Sequence, residues 1–381
     1  MRKKKIYILS PAYPFRGGMV QFASIFYQKL KEFGHEAKIV SFVKQFPNWL
    51  FPGETQIDNS KNFLKVEESR VFAPLSPFSW FKTYKVVKNE KPDSLILNWW
   101  IPFFAPSYFC VSFLVKKFTK TEIIFLVHNA IPHEKWPLVK LLTKLAFSQA
   151  DKFLVLSESV VEDLKTIYPK VKESQLLKSR HPIYDFYLSE KVEESKAELK
   201  ENLGIKTSRV ILFFGFIKKY KGLNVLLKAM SKVIKHFEGD VMLLIVGEFY
   251  YPKTEFHELV KELKIEKHIK LVDSYVSNEE VYKYFSPSDV VVLPYTSATQ
   301  SGIVQIAFGF EKPIIASRIG GIPEVVKENE IGLLAEPNNP NDFAEKIIDF
   351  YEKELVGKFS ENIKEEKKKY SWGKLVEAVI N

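Results

Sequence analysis

The sequence predicts an α/β protein with two doubly wound domains. Its 381 residues are too many for one compact core and suit two domains. Short apolar runs rich in β-branched and aromatic residues alternate with longer amphipathic stretches, and this alternation occurs in both halves of the chain. Runs that are apolar on both faces are typical of parallel strands covered by helices, so two such series indicate two parallel sheets.

In the first half, the predicted strands are apolar runs bounded by Gly, Pro, Asn or charged residues. They are 6–10, 37–42, 95–98, 123–127 and 153–156, with a helix over 22–33 that ends at Gly34. Residues 94–115 carry no charge and are long enough to span a bilayer. Pro102 and Pro106 interrupt a continuous helix there, so we expect a strand, a loop and a helix from about Ser107.

The second half repeats the pattern. Predicted strands are 210–215, 241–247, 270–272, 290–294 and 313–316, and predicted helices are 223–237, 255–263, 278–285, 341–351 and 361–379. A highly charged stretch over 190–201 follows a His-Pro turn. We therefore expect the domain boundary between about residues 179 and 200.

Charge and cysteine content limit the classes of function. A net charge of +10 favours anionic partners, which are a nucleotide, a nucleic acid or an acidic membrane surface. The basic residues are scattered and form no nucleic-acid-binding motif, so no nucleic-acid partner is expected. Cys110 is the only cysteine, which excludes a disulfide within the chain and a cysteine-based metal site. A reducing compartment, the cytoplasm, fits this composition.

Glycine-containing turns follow several predicted strands, at the sheet edge where open α/β sheets bind ligands. Gly17-Gly18 follows the first strand; it either lets a ligand approach the backbone or is a plain tight turn. The loop from Gly215 to Gly222 carries Lys218, Lys219 and Lys221. These lysines either bind a diphosphate or form a solvated basic turn.

Two more turns follow neighbouring strands in the second half. Thr299-Gln300-Ser301-Gly302 links an apolar strand to an apolar helix, where small polar residues either cap the helix or leave its N–H groups to a phosphate. We expect Gly302 to adopt a backbone shape, or permit a phosphate approach, that a side chain would block. Gly320-Gly321, followed by Glu324, comes after the next strand. Two such turns at one edge favour a binding site over two unrelated turns.

Together, the lysine loop, the Gly302 turn, Lys312-Pro-Ile-Ile-Ala-Ser and Gly320-Gly321-x-Pro-Glu324 resemble the retaining glycosyltransferases of family four, which have the GT-B fold. The resemblance implies two Rossmann-like domains that face each other across a cleft. It implies an acceptor-binding domain over 1–185, a nucleotide-sugar-binding domain over 200–360, and a C-terminal helix over 361–381 that returns to the first domain. It also implies no metal and no cofactor beyond the nucleotide-sugar co-substrate.

The chain departs from the family pattern at the donor site. Family members carry two Glu residues eight positions apart across the turn, whereas the aligned positions here are near Ala298 and Ile306. Thr299, Gln300, Ser301 and Gln305 are the polar residues available instead, and the chain resembles a subgroup with Thr-Gln-Ser-Gly at this turn. Phe216 stands where the family has Arg, so we expect Lys218 to supply that charge.

The resemblance implies that the leaving diphosphate takes the acceptor proton, while Lys218, Lys221 and N–H groups near Gly302 neutralise its charge.

His128 and Asn129 follow a predicted strand. His128 either hydrogen-bonds the donor sugar or acceptor, or bonds nearby backbone. His133 is a weaker candidate for the same role, and His181 is expected to be structural. Trp99 and Trp100 either form an apolar wall for a lipid-linked acceptor, dock on a membrane, or belong to the core. The predicted site residues are, as catalytic groups, His128, Lys218 and Lys221; for the donor, Gly17, Gly18, Gly215, Glu248, Thr299, Gln300, Ser301, Gly302, Gln305 and Glu324; and for the acceptor, Asn129, Trp99 and Trp100.

The predicted function is retaining transfer of a sugar from a nucleotide-diphosphate sugar to a glycan, lipid-linked or other hydroxyl acceptor, as in polysaccharide or glycolipid biosynthesis. A nucleotide-sugar epimerase is one alternative, but it needs an acid or base at the sugar, and this turn has none. A non-catalytic protein that binds nucleotide sugar or glycan is the other, suggested by the missing Glu pair. The predicted location is the cytoplasm, with peripheral contact at the inner face of the cell membrane.

Overall fold

The computed structural model describes residues 2–51, 53–132, 138–188 and 194–380, and the chain divides into two compact units. The first unit contains Met1–Asn59, Phe63–Pro182 and Ser371–Asn381, and the second contains Ser60–Asn62 and Ile183–Tyr370. The units divide at 182/183 and 370/371. The predicted domain limits at 185, 200 and 360 stay predictions.

The first unit contains a seven-stranded parallel sheet. Its strands are β1 Lys5–Leu9, β2 Glu36–Phe42, β3 Glu68–Phe72, β4 Ser94–Trp99, β5 Glu122–Val127, β6 Lys152–Val155 and β7 Leu176–Lys178. They are arranged in the order β3-β2-β1-β4-β5-β6-β7. In the centre, Ile8 of β1 is in register with Ile39 of β2 on one side and Ile96 of β4 on the other.

The second unit contains a six-stranded parallel sheet in the order β10-β9-β8-β11-β12-β13. Its strands are β8 Arg209–Phe214, β9 Val241–Val246, β10 Ile269–Val272, β11 Val290–Leu293, β12 Ile314–Ser317 and β13 Gly332–Ala335. Three of the observed strands, β3, β7 and β13, were not predicted. All three lie at the edge of a sheet.

Helices connect the strands. In chain order they are α1 Gly18–Glu32, α2 Pro77–Glu90, α3 Ala105–Phe118, α4 Val139–Phe147, α5 Glu158–Ile167, α6 Lys196–Asn202, α7 Leu223–His236, α8 Thr254–Leu263, α9 Tyr282–Phe285, α10 Gly302–Gly309, α11 Ile322–Val325, α12 Pro340–Glu352, α13 Leu355–Glu366 and α14 Trp372–Ile380. The helix predicted over 278–285 is instead the short 3₁₀ helix Asn278–Glu280 followed by α9.

The apolar stretch 94–115 folds as β4, the 3₁₀ helix Pro102–Phe104 and then α3, close to the predicted strand, loop and helix. Among the described helices, none is long and apolar enough to cross a membrane. The single terminal helix predicted over 361–379 is wrong. The chain forms α13, which ends at Glu366, then the 3₁₀ helix Lys367–Lys369, and then α14, which begins at Trp372. Tyr370 has a non-helical backbone (φ −107°, ψ 47°), which interrupts the helix.

Aromatic side chains fill the core of the first unit. Trp99, Tyr108, Phe125, Phe147 and Phe153 are all fully buried there. Phe147 lies 5.1–5.4 Å, centroid to centroid, from Phe125 and Phe153, with the rings edge to face, a favourable arrangement for aromatic pairs. Part of the unusual Phe content of the chain is therefore packed between the first sheet and its helices.

Candidate functional site

The strand order of each sheet marks where a ligand is expected to bind. In the second unit, β9 lies on one side of β8 and β11 on the other, so the direction of connection reverses between β8 and β11. Open α/β sheets bind ligands beyond the carboxyl ends of the strands at such a switch point. The lysine loop follows β8 and the Thr-Gln-Ser-Gly turn follows β11, so the structure places both at this point.

The lysine loop is packed directly against the end of β11. Lys219–Lys221 form a 3₁₀ helix, and Gly222 ends it with a left-handed backbone at φ +67°. A Cβ atom on Gly222 would lie only 1.9 Å from the carbonyl oxygen of Pro294, so no side chain fits there. Across the same contact, the Thr296 N–H donates to the carbonyl oxygen of Tyr220 at 2.8 Å.

This packing buries Lys221. The residue is 8% exposed, and its Nζ lies 5.7 Å from the centroid of the Tyr295 ring. A Cβ built on Gly215 would be 3.0 Å from that Nζ and 3.1 Å from Cδ1 of Ile303, which places the ammonium beside the first turn of α10. Burial, reinforced by the charge of Lys218, lowers the pKa of Lys221 to about 7.

Among the described residues, no carboxylate pairs with Lys221. A buried ammonium without an opposite charge is costly in free energy, and an anion at the same position removes that cost. The arrangement is therefore suited to an anionic ligand that reaches the β8 and β11 strand ends.

The turn after β11 leads into α10. The first backbone N–H groups of α10 donate no hydrogen bond to the side chain of the residue before the helix. Ser301 precedes the helix but makes no side-chain cap; its Oγ lies 3.4 Å from the Tyr295 hydroxyl. Gly302 is not in the left-handed region, and a Cβ there would make an ordinary 3.6 Å contact with the Tyr184 ring. The prediction that Gly302 needs a backbone conformation special to glycine is therefore wrong. The other alternative, that a larger side chain at this position would block the approach of a phosphate, stays a prediction.

The two glycine-containing turns that the sequence placed at one edge contact each other. Gly320 has φ +53°, and a Cβ there would lie 1.6 Å from the carbonyl oxygen of Ala298. The Gly321 N–H donates to the carbonyl oxygen of Thr299 at 3.0 Å. Thr299 is buried by this contact, while Glu324 is exposed in the short helix α11.

The predicted polar replacements for the missing acids differ in their surroundings. Gln305 is almost fully buried in α10, and its Oε1 accepts no hydrogen bond from a described residue. Gln300 is half-buried at the turn. Ala298 and Ile306, the positions aligned with the family acids, are buried and apolar.

An aromatic cluster follows β8 and β9, and it contains Phe216, the position at which the resemblance predicts an arginine. The Phe216 ring lies 4.7 Å from that of Tyr250 and stacks at 6.0 Å on that of Tyr275. Lys218 Nζ lies 5.5 Å from the centroid of Tyr250, so Lys218 lies at the edge of this cluster. Glu248 is buried beside it, and its carbonyl oxygen accepts a hydrogen bond from Ile217 N–H at 2.8 Å.

In the first unit, the order reverses between β1 and β4. Gly17 precedes α1 with φ 109°, and Gly18 begins that helix, so the first predicted glycine turn lies at this switch point. Asn98 Nδ2 donates to Ser10 Oγ at 2.8 Å across the two strand ends, and both side chains are fully buried.

His128 is enclosed and does not line an open site. It is 2% exposed, and its ring meets Phe22 edge to face at 5.0 Å. Burial, together with the charge of His181, lowers the pKa of His128 to about 3, so the imidazole is neutral at pH 7. His181 packs on the same Phe22 ring at 5.4 Å, as expected of a structural residue. Asn129 is half-buried, and His133 lies outside the described residues.

Trp99 has no exposed surface with which to contact an acceptor. Its ring is fully buried, 5.0 Å from Phe147, because Trp99 shares a strand face with Leu95 and Leu97 in the core of the first unit. Of the three alternatives for this stretch, Trp99 belongs to the core. Trp100 is half-buried and packs on Phe104 at 4.5 Å.

The sequence reasoning missed an apolar pocket at the carboxyl ends of β2, β3 and β4. The pocket has a volume of about 290 Å³ and is lined by Lys44, Gln45, Phe46, Pro47, Trp49, Ala73, Pro74, Leu75, Ser76 and Phe103. Trp49 on its rim is 81% exposed. The signal available in the sequence was the pair of Pro-containing aromatic segments at 46–51 and 72–78, which lie close to the ends of β2 and β3.

Among the described residues, no group of three or more His, Cys, Asp or Glu side chains is placed to hold a metal ion.

Comparison with known proteins finds a family match within the second unit and a similar fold for the whole chain. Residues 195–370 match the family described as Glycosyl transferases group 1. The chain is similar over 230 residues to spore coat protein SA of Bacillus subtilis (strain 168), at 27% identity and 57% of each chain. It therefore spans little more than half the length of that relative.

Two further similarities extend over nearly the whole chain. N-acetyl-alpha-D-glucosaminyl L-malate synthase of Bacillus anthracis is 23% identical over 360 residues, which cover 90% of this chain and 87% of that one. The solved structure of Anabaena Alr3699/HepE in complex with UDP has a TM-score of 0.75 at 15% identity, covering 98% of each chain. The predicted fold class, two Rossmann-like domains of the GT-B type, is confirmed.

Proposed function

Because residues 195–370 match the family described as Glycosyl transferases group 1, we propose that this chain is a glycosyltransferase that moves a sugar from a nucleotide-diphosphate sugar to a hydroxyl acceptor. The observation that carries the proposal is the buried ammonium of Lys221 at the β8 and β11 strand ends, with no described carboxylate beside it. A diphosphate supplies the missing negative charge. That UDP occupies the similar Anabaena structure supports a uridine nucleotide as the first donor to test.

In the proposed reaction, the bond between the anomeric carbon and the diphosphate oxygen breaks as the acceptor oxygen bonds to that carbon. The acceptor proton passes to the leaving diphosphate oxygen on the same face of the sugar, which retains the anomeric configuration. Lys221 and Lys218 stabilise the charge that develops on the diphosphate, as preorganised cations do in other transfer reactions. We propose that no metal is needed, because these lysines supply positive charge at the leaving group.

The acceptor is proposed to carry an apolar part, as glycolipid and lipid-linked acceptors do. The support is the apolar pocket after β2, β3 and β4, with Trp49 and Leu75 exposed at its rim. Large exposed apolar side chains around a concave surface are typical of ligand sites. This pocket takes over the acceptor role that the sequence assigned to Trp99. A cytoplasmic location belongs to the same proposal.

The test is incubation of the protein with a panel of nucleotide sugars, with and without an amphipathic acceptor such as an alkyl glycoside. Acceptor-dependent release of nucleoside diphosphate, with a glycosylated product seen by mass spectrometry, is the expected result. Lys221→Met should weaken donor binding about ten-fold or more, as loss of a charge-assisted contact does. The matched control is Lys228→Met, which changes an exposed lysine of α7. This variant should bind the donor with the affinity of the wild type.

The absence of acids at Ala298 and Ile306 favours one second candidate, a non-catalytic nucleotide-sugar-binding protein. Under that alternative, calorimetry detects donor binding, yet no nucleoside diphosphate is released with any acceptor. An epimerised donor in the same panel would instead support an isomerase. Either outcome contradicts the transferase proposal.

A further inference from the structure

Three neighbouring helices of the first unit expose large apolar side chains to solvent. Helix α2 packs against α3, and α3 packs against α4. The large apolar side chains exposed on them are Phe78, Phe81, Phe113, Phe118, Leu141 and Leu145. We call these side chains, together with the lysines of the same three helices, the basic–aromatic face. Phe78 is 84% exposed, so its ring contributes almost nothing to the core. Exposed apolar groups clustered on adjoining elements mark an interaction surface.

The same helices are strongly basic. Their seven lysines are Lys82, Lys85, Lys88, Lys116, Lys117, Lys140 and Lys144, and their one acid is Glu90, which is ion-paired with Lys38 at 3.0 Å. Lys116 is paired with Asp151 at 2.5 Å. The other six lysines form no ion pair with any residue that the structure describes. The face therefore carries six uncompensated positive charges.

The lysines and the rings of this face are interleaved. Lys85 Nζ lies 4.9 Å from the centroid of Phe81, and Lys117 Nζ lies 5.7 Å from Phe113 and 5.6 Å from Phe118. An ammonium this close to the face of an aromatic ring is attracted by the π electrons of the ring. The face therefore combines exposed aromatic rings with positive charges.

A cation-rich cavity of about 870 Å³ adjoins the face at the C-terminal ends of α2 and α3. Its lining includes Lys88, Lys91 and Lys120 beside the exposed Phe118. The one carboxylate in the lining, Asp93, already accepts a hydrogen bond from the Lys5 N–H at 2.7 Å. The cavity has the charge and the size to admit a phosphate headgroup.

We propose that the basic–aromatic face docks on an anionic phospholipid bilayer. The rings enter the boundary between headgroups and acyl chains, and the six lysines attract the anionic headgroups around them. A second copy of the chain docked through the same face would bring like charges together. The face also has no arginine, the residue that nucleic-acid surfaces favour for phosphate recognition. An anionic bilayer matches both the charge and the exposed rings.

This surface differs from the one that the sequence offered as a possible membrane contact. The stretch around Trp99 and Trp100 was one predicted membrane contact, but Trp99 is buried in the core. The basic–aromatic face lies on α2, α3 and α4 instead.

Sedimentation with vesicles tests the proposal on the full chain. Vesicles of 70% phosphatidylcholine and 30% phosphatidylglycerol are compared with vesicles of phosphatidylcholine alone, at low and at high salt. We expect binding to the anionic vesicles at low salt, and weak binding in the other three conditions. Replacing Lys82, Lys85 and Lys88 together with Gln should lower partitioning about a hundred-fold, since each basic residue at a surface contributes about 1 kcal/mol.

The matched control is the triple Lys→Gln variant of Lys228, Lys232 and Lys235, three exposed lysines of α7 with similar spacing and the same change in net charge. It should sediment as the wild type does. A further variant, Phe78→Ser, should lower binding several-fold at unchanged thermal stability, because the ring is exposed. Equal loss in the two lysine variants, binding to both kinds of vesicle alike, or no binding to any vesicle would overturn the proposal. Capture of an acidic protein or of RNA by this face, without vesicle binding, would also overturn it.

Discussion

Nucleotide-sugar binding should take up a proton at Lys221, and the amount should depend on pH in a predictable way. Burial and the neighbouring Lys218 lower the pKa of Lys221 to about 7, so close to half of the protein carries a neutral amine at neutral pH. A diphosphate beside the amine favours the charged form and holds the proton on. With a pKa near 7, uptake is about 0.1 proton at pH 6, about 0.5 at pH 7 and about 0.9 at pH 8.

Calorimetry with UDP-glucose as the probe measures this uptake directly. At each pH the titration is run in two buffers that differ in ionisation enthalpy, and the difference in observed heat gives the number of protons taken up. The diphosphate diester of the probe stays fully ionised across this range, so the uptake reports on the protein. Lys221→Met should abolish the rise between pH 6 and 8, and Lys228→Met should keep it. Binding without uptake at pH 8 in the wild-type protein would refute the reasoning.

The lowered pKa of Lys221 can also be tested without a ligand, from the pH dependence of the free energy of unfolding. The pKa of Lys221 is lowered in the folded state from its ordinary value of 10.5 to about 7, so between these values the unfolded chain binds more protons than the folded one. The contribution of Lys221 to the free energy of unfolding therefore rises with pH through this window, by up to about 5 kcal/mol. Urea unfolding of the wild type and of Lys221→Met at pH 7 and 9 compares the two slopes, and the wild-type slope should be the steeper. Parallel slopes would show that Lys221 is not buried as described, whatever the donor is.

Substitutions at three other positions, and one treatment, have defined outcomes. Gly222→Ala should cost at least about 2 kcal/mol of stability, seen in denaturant unfolding, because its Cβ would lie 1.9 Å from the Pro294 oxygen and its φ is +67°. Gly302→Ala should keep the transfer rate, since its Cβ only touches Tyr184, whereas Gly302→Val should lower it at similar thermal stability. Gln300→Ala should lower the transfer rate more than it lowers the melting temperature, and equal activity would make the turn merely structural. EDTA should leave transfer unchanged; loss restored by Mg²⁺ or Mn²⁺ would contradict the metal-free proposal.

The central strands were predictable because they are buried on both faces and read as continuous apolar runs. The missed strands are edge strands: β3 has the sequence Glu-Ser-Arg-Val-Phe, and β7 is the three-residue Leu-Leu-Lys. An edge strand exposes part of its surface, so its sequence lacks the apolar run that identifies a central strand. β13 begins at Gly332, which a sequence pattern reads as the end of an element.

The loops of the candidate site were predictable from the strand-end rule, but the surroundings of individual side chains were not. Sequence places Lys218, Lys219 and Lys221 in one loop and cannot tell which of them is buried. The contact between Gly222 and the end of β11 decides that, and it brings together residues about 70 positions apart in the chain. Trp99 could have been assigned correctly, because it continues the alternation of Leu95 and Leu97 on the core face.

The missing acids and the buried lysine have a common physical consequence. No acidic residue occurs between Asp289 and Glu311, the segment that contains β11, the polar turn and α10. A carboxylate in that segment close to Ile303 would lie near Lys221 Nζ, would raise the pKa of the lysine and would hold it charged before any donor arrives. With only hydroxyl and amide groups at the turn, the proposed diphosphate would supply the negative charge that the buried Lys221 lacks. The uncharged turn also places no negative charge beside the proposed donor. Under the proposed function, the empty site therefore has few fixed charges, and the charge on Lys221 becomes complete when the ligand binds.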